Sequence, residues 1–233
     1  VVVTGRDERK IAEVVGEIAN GAGKARHLTA DVRDPASSLA AVELCQKAFG
    51  GLDIVVAAAG VSGRVPLGGA GESGDIALAR ARAIVETNLL GAYYTFHAAI
   101  PAVREGGRLL VLSSVLGKFG VPGYAAYCAS KAGVLGLVRA TAHEVGARKI
   151  TCNAVVPGWV DTEMASDGIA EIARGTGVTP EQAKADAVKA FPLGRFIEPE
   201  EVARFVGFLV GADAAAITGQ ALSICGGSTA FGG

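Results

Sequence analysis

The sequence predicts an α/β fold built on a doubly wound, mostly parallel sheet. Short β-rich runs alternate with longer runs of helical periodicity along the whole chain, the pattern of strands joined by crossover helices. One run, LDIVVAAAG (52–60), is apolar without alternation, as in a strand covered on both faces. At 233 residues and 50% hydrophobic, the chain suits a single packed domain over 1–233.

The elements follow in order. VVV reads as a strand that runs straight through TGR into a helix, ERKIAEVVGEIA (8–19), where Ile11, Val14, Val15 and Ile18 recur at helical spacing. ARHLTADV (25–32) is a strand, and PASSLAAVELCQKAFG (35–50) a helix ending at Gly50 and Gly51. After LDIVVAAAG, a Gly-rich loop over 61–74 leads to a long helix from Asp75 to Arg104. GRLLVLSSV (107–115) is a strand, YAAYCASKAGVLGLVRATAHEVG (124–146) a helix and KITCNAVVPG (149–158) another strand. A polar segment over 159–198 precedes the helix PEEVARFVGFLVG (199–211) and the closing strand GQALSICGG (219–227). In such a fold ligands gather at the carboxyl ends of the strands.

Composition removes several function classes. A net charge of −1 and a pI of 6.4 give no footprint for nucleic acid or an acidic membrane. Mean hydropathy is high, +0.39, yet polar residues interrupt every apolar run before about 18 residues, so no transmembrane helix is expected. Cys45, Cys128, Cys152 and Cys225 are far apart, with no CxxC and no histidine cluster. They read as reduced thiols in a cytoplasmic protein without a metal site.

The sharpest local pattern is YCASK, with Tyr127 and Lys131 four apart. On a helix both side chains share one face. A phenol of pKa about 10 is poorly matched to proton transfer at neutral pH, and an adjacent ammonium favours its phenolate. Tyr127 could then give a proton to a carbonyl or take one from an alcohol. Taken alone, a Tyr and Lys at that spacing are usually just a helix face. Ser114, at the end of the preceding strand, could hold a substrate oxygen, whereas Ser113 reads as structural. Tyr124 has Cys128 where a lysine would be needed. Asn88 sits mid-helix, where asparagine is a poor helix former. It is either an exposed polar residue or one bonded to backbone or water inside a site.

Together these residues resemble the short-chain dehydrogenase/reductase family, especially its 3-oxoacyl-(acyl carrier protein) reductases and polyketide ketoreductases. Asn88, Ser114, Tyr127 and Lys131 match the family's catalytic tetrad in order and spacing. PGWVDT (157–162) matches the segment that holds the nicotinamide, and Asp31 with Val32 the pair at the adenine. The resemblance implies a Rossmann-type fold and hydride transfer between a nicotinamide cofactor and a ketone or secondary alcohol, with a 3-oxoacyl thioester among the candidates. It casts Tyr127 as proton donor, Ser114 as holder of the oxygen, Lys131 as tuner of Tyr127 and ligand of the nicotinamide ribose, and Asn88 as holder of a water. Cofactor contacts are implied for Arg6, Asp31, Val32, Ala58, Ala59, Gly60, Tyr127, Lys131, Pro157, Gly158, Val160 and Thr162. Relatives read NNAG where this chain has AAAG (57–60), so contact there rests on backbone and shape. Arg6 stands where NAD-dependent relatives carry an acid, and an arginine can pair with a 2′-phosphate. That points to NADP rather than NAD, the other reading being a solvated arginine at a helix start.

The resemblance also implies a substrate lid over 161–191. Arg148 matches one position of a basic patch for an acidic carrier protein, but the other is Glu105, so a discrete ketone or an acyl-CoA competes with a carrier-bound substrate. Relatives have a strand and a TGxxxGxG loop ahead of the strand that VVVTGR resembles. A first βα unit of roughly 30 residues, absent from these 233, is therefore expected before Val1. The long helices, the second bearing Ala132, Gly133, Gly136 and Ala140, imply a homotetramer or homodimer. A catalytically silent dinucleotide sensor on the same fold is the alternative function.

Overall fold

The computed structural model describes residues 1–68, 74–189 and 191–230. Residues 69–73 of the expected Gly-rich loop and residue 190 of the expected lid lie outside these. The order is β1 (Val2–Gly5), α1 (Glu8–Asn20), β2 (Arg26–Thr29), α2 (Pro35–Phe49), β3 (Leu52–Ala57), α3 (Gly74–Val85) and α4 (Gly91–Ala99). Then come β4 (Val103–Leu112), α5 (Ala125–Val145), β5 (Thr151–Pro157), α6 (Glu163–Thr176), α7 (Pro180–Lys189), α8 (Pro199–Val210) and β6 (Ala221–Ile224). Local chemistry accounts for the helix ends. Asp7 caps α1 by accepting the Lys10 N–H. Asp34 caps α2, Pro35 starts it, and Gly50 ends it at φ 75°, a conformation glycine adopts without steric cost.

The strands pair in parallel as β1–β2 and as β3–β4–β5–β6. No pairing joins β1 to β3 among the described residues; α2 packs against both and links the two sheets. On one face of the larger sheet, Leu109, Val111, Cys152, Ala154 and Val156 meet Phe96 of α4 and Val134 and Val138 of α5. On the other, Leu110 and Val155 meet Leu209 of α8. β5 is buried along its whole length.

Two expectations need correction. β3 is not covered on both faces, since Ile54 is 45% and Val56 40% exposed. Among the described residues it lies at the edge of its sheet, and α8 packs over β4 instead. The long helix ends at Ala99 rather than Arg104, because Pro101 has no N–H with which to continue the helical hydrogen bonds and β4 already begins at Val103. The polar segment after β5 folds as α6 and α7, around a small apolar core of Ile169, Ala173, Ala183, Phe191 and Phe196.

Candidate active site

The carboxyl ends of β3, β4 and β5 deliver the candidate groups to one region, and α5 brings Tyr127 and Lys131 to it. Between α3 and α4 the helix widens into a π turn over Glu86–Leu90, an arrangement often found at functional sites. Asn88 lies in that turn and is 1% exposed. Its Oδ1 accepts the Val61 N–H at 2.8 Å, and its Nδ2 donates to Val61 O at 2.9 Å and to Ser130 Oγ at 3.0 Å. The exposed reading of Asn88 is therefore excluded. It fastens the loop after β3 to the helix, leaving one Oδ1 lone pair for a water.

Lys131 is buried and donates from Nζ to Leu112 O at 2.7 Å. Burial lowers its pKa from 10.5 to about 8. A Cβ at Gly60 would stand 3.3 Å from Lys131 Nζ and 3.4 Å from Asn88 Oδ1, so both groups converge on a spot that only glycine leaves open. Tyr127 is half-buried. Burial pushes its phenol up, and a hydrogen bond with the Ser114 hydroxyl opposes this. The expected lowering by Lys131 is not what the geometry gives: Nζ sits 5.8 Å from the Tyr127 ring centroid and is turned to Leu112 O. Ser114 also accepts the Leu116 N–H at 3.2 Å. Ser113 is structural, as expected, with its hydroxyl donating to Lys131 O at 2.9 Å. Tyr124 donates to Glu171 Oε2 at 3.3 Å; burial first, then the Glu171 carboxylate, raises its pKa to about 12.

The remaining candidates line two further stretches. Arg6 is exposed at the end of β1 and close enough to Asp31 to favour its ionised form. Val32 packs where a Cβ on Gly91 would come within 2.7 Å of its Cγ2, setting the Asp31–Val32 turn against α4. Ala58 and Ala59 are exposed. Pro157 is buried, and a Cβ on Gly158 would lie 3.0 Å from Cys225 Cα. Cys225 is buried there in the core. Val160 bridges to Ile197, and Thr162 caps α6 while donating to Val160 O at 3.2 Å.

Residues 1–229 match the family profile described as enoyl-(acyl carrier protein) reductase. The chain belongs to the short-chain dehydrogenase/reductase family. It is 37% identical over 227 residues to the ketoacyl reductase 1 assigned to the granaticin polyketide synthase of Streptomyces violaceoruber, covering 95% of this chain and 81% of the relative. It is 31% identical over 227 residues to the 3-oxoacyl-(acyl-carrier-protein) reductase FabG of Thermotoga maritima, covering 94% and 83%. A crystal structure of a dehydrogenase/reductase from Sinorhizobium meliloti 1021 superposes with a TM-score of 0.84 at 31% identity, covering 98% of this chain and 84% of that one.

Within this reductase, sequence reasoning passed over three residues. Arg33 grips Asp31 through Nε at 3.0 Å and Nη2 at 2.5 Å, and its hydrogen bonds are the first cause of the Asp31 pKa falling to about 2. The D-x-R spacing after a strand was the available signal. Ser130 receives Asn88 and donates to Tyr127 O at 2.8 Å, and Glu171 receives Tyr124. Neither has a local signature.

Proposed function

We propose that the protein reduces a ketone with NADPH. The observation that carries this is the buried Lys131 ammonium. Among the described residues its one hydrogen-bond acceptor is Leu112 O, and its other two N–H bonds are free for acceptors in the space beside Gly60. Ribose hydroxyls fit that need, as does the glycine-lined approach. A bound reduced nicotinamide supplies the hydride that the carbonyl carbon accepts. The Ser114 hydroxyl donates to the substrate oxygen and Tyr127 Oη releases its proton to that oxygen as it gains charge. Lys131, held by Leu112 O, binds the ribose, and Asn88 keeps the Val61 loop in place. Arg6, exposed and beside Asp31, supports a 2′-phosphate and hence NADPH over NADH.

The helical segment α6–α7 is the substrate lid. A discrete ketone or an acyl-CoA is favoured over a carrier-bound one, because Arg148 is spent on Ile100 O and Val103 O and Glu105 pairs with Lys149. Four free thiols support a reducing, cytoplasmic setting; among the described residues no helix is long and apolar enough to cross a membrane. The test is oxidation of NADPH in the presence of a panel of ketones, β-ketoesters and acyl-CoA thioesters. Turnover of at least one class is expected. Tight nucleotide binding without turnover of any would overturn the reading in favour of a sensor.

A further inference from the structure

Glu171 of α6 joins three parts of the chain that lie far apart in sequence. Its Oε2 accepts the Tyr124 hydroxyl at 3.3 Å and the Arg64 backbone N–H at 3.3 Å. Tyr124 stands at the start of α5, one turn ahead of Tyr127. Arg64 belongs to the loop after β3, whose other end Asn88 holds at Val61. That loop is fixed again where the Val65 N–H donates to Gly123 O at 2.7 Å, and the Arg64 side chain lies over Gly123, within 2.7 Å of where a Cβ would be. Glu171 therefore meets a rigid edge of the site. The helix that carries it does not share the sheet's cores. α6 and α7 close a small core of their own, and at its first turn α6 reaches α1 through the exposed Lys10–Glu163 pair at 3.7 Å.

We infer that Glu171 and Tyr124 form a latch that holds α6 closed beside the catalytic Tyr127, making both positioning residues for ketone binding. The inference rests on the reductase reading. Because the latch ties the lid to the loop and helix that carry Asn88 and Tyr127, opening it widens the site without touching the reacting groups. Tyr124 is held as a hydrogen-bond donor rather than as a second proton source, and this explains how two tyrosines one turn apart take different roles.

The test compares Tyr124→Phe, Glu171→Ala, Glu171→Gln and the Tyr124→Phe/Glu171→Ala double variant. Loss of a charge-assisted hydrogen bond should raise KM for the best ketone about tenfold, with KM for NADPH changed less than about twofold. Glu171→Gln keeps an acceptor oxygen for both donors and should stay near wild type. The double variant should be no worse than Glu171→Ala, since the hydrogen bond lost in Tyr124→Phe is one of the two already lost in Glu171→Ala. Hydrogen–deuterium exchange over residues 163–176, measured without substrate, should quicken in Tyr124→Phe at unchanged melting temperature. Unchanged KM and exchange, or additive effects in the double variant, would overturn the latch. If wild type reduces no ketone, the reductase reading fails, and the exchange measurement alone still decides the latch.

Discussion

A single hydroxyl separates the proposed proton donor from an inert ring. Tyr127→Phe should lower kcat by about 10²–10⁴-fold, the usual worth of general acid–base catalysis, while NADPH binding measured by fluorescence titration stays intact. Near-wild-type turnover by a folded Phe variant would sink the assignment. Arg6→Asp should raise KM for NADPH strongly and KM for NADH little, because the carboxylate repels a 2′-phosphate but accepts a ribose hydroxyl; an unmoved ratio would make Arg6 a surface charge only. Lys131 carries a pH signature. The unfolded lysine keeps its proton to 10.5, whereas the folded one releases it near about 8. Between those values the unfolded state binds more protons, so stability rises with pH. Wild type should gain up to about 3 kcal/mol on Lys131→Met from pH 8 to 10.5, read by urea denaturation. The two stability–pH curves would run parallel if the ammonium were solvated.

At the scale of elements, the π turn matters because it puts Asn88 where three hydrogen bonds can reach the Val61 loop and Ser130. Asn88→Ala leaves two half-buried Val61 backbone groups and the buried Ser130 hydroxyl each short of a partner and should cost about 2–4 kcal/mol; a melting temperature equal to wild type would contradict it. The same turn marks where sequence reading reaches its limit. Tyr127 and Lys131 were legible because four residues of helix fix their shared face, and Ser114 because it follows a strand. The strands β4 and β5 were legible too, as dense apolar runs. The π turn was not, since asparagine within a helical run does not say which long-range partner unwinds it. Nor was the open face of β3: apolar composition shows that a strand can be buried, not what lies over Ile54 and Val56. Glu171 reads as one more surface acid until Tyr124, far off in the chain, is placed against it.

For the whole molecule, the proposal is assembly through α4 and α5 about a twofold axis, as a dimer or tetramer. Ala132 and Ala140 are exposed, and a Cβ on Gly136 would meet only the Arg139 guanidinium, 3.9 Å from Nη2, whereas Gly133 is spent internally, a Cβ there falling 2.8 Å from Leu89 Cδ2. Light scattering at micromolar concentration should return at least the dimer mass, and Ala140→Arg should reduce it; a monomer mass for wild type would refute the arrangement. The separate core under α6 and α7 has another consequence. The chain has one tryptophan, and it is Trp159, stacked on Phe196 with centroids 5.6 Å apart and planes 9° from parallel. Excitation of the one indole in these 233 residues therefore watches this segment. Trp159 is a built-in optical gauge of the proposed lid, and a stopped-flow trace of its emission on mixing with ketone would time the segment's movement directly, without a dye, label or engineered probe.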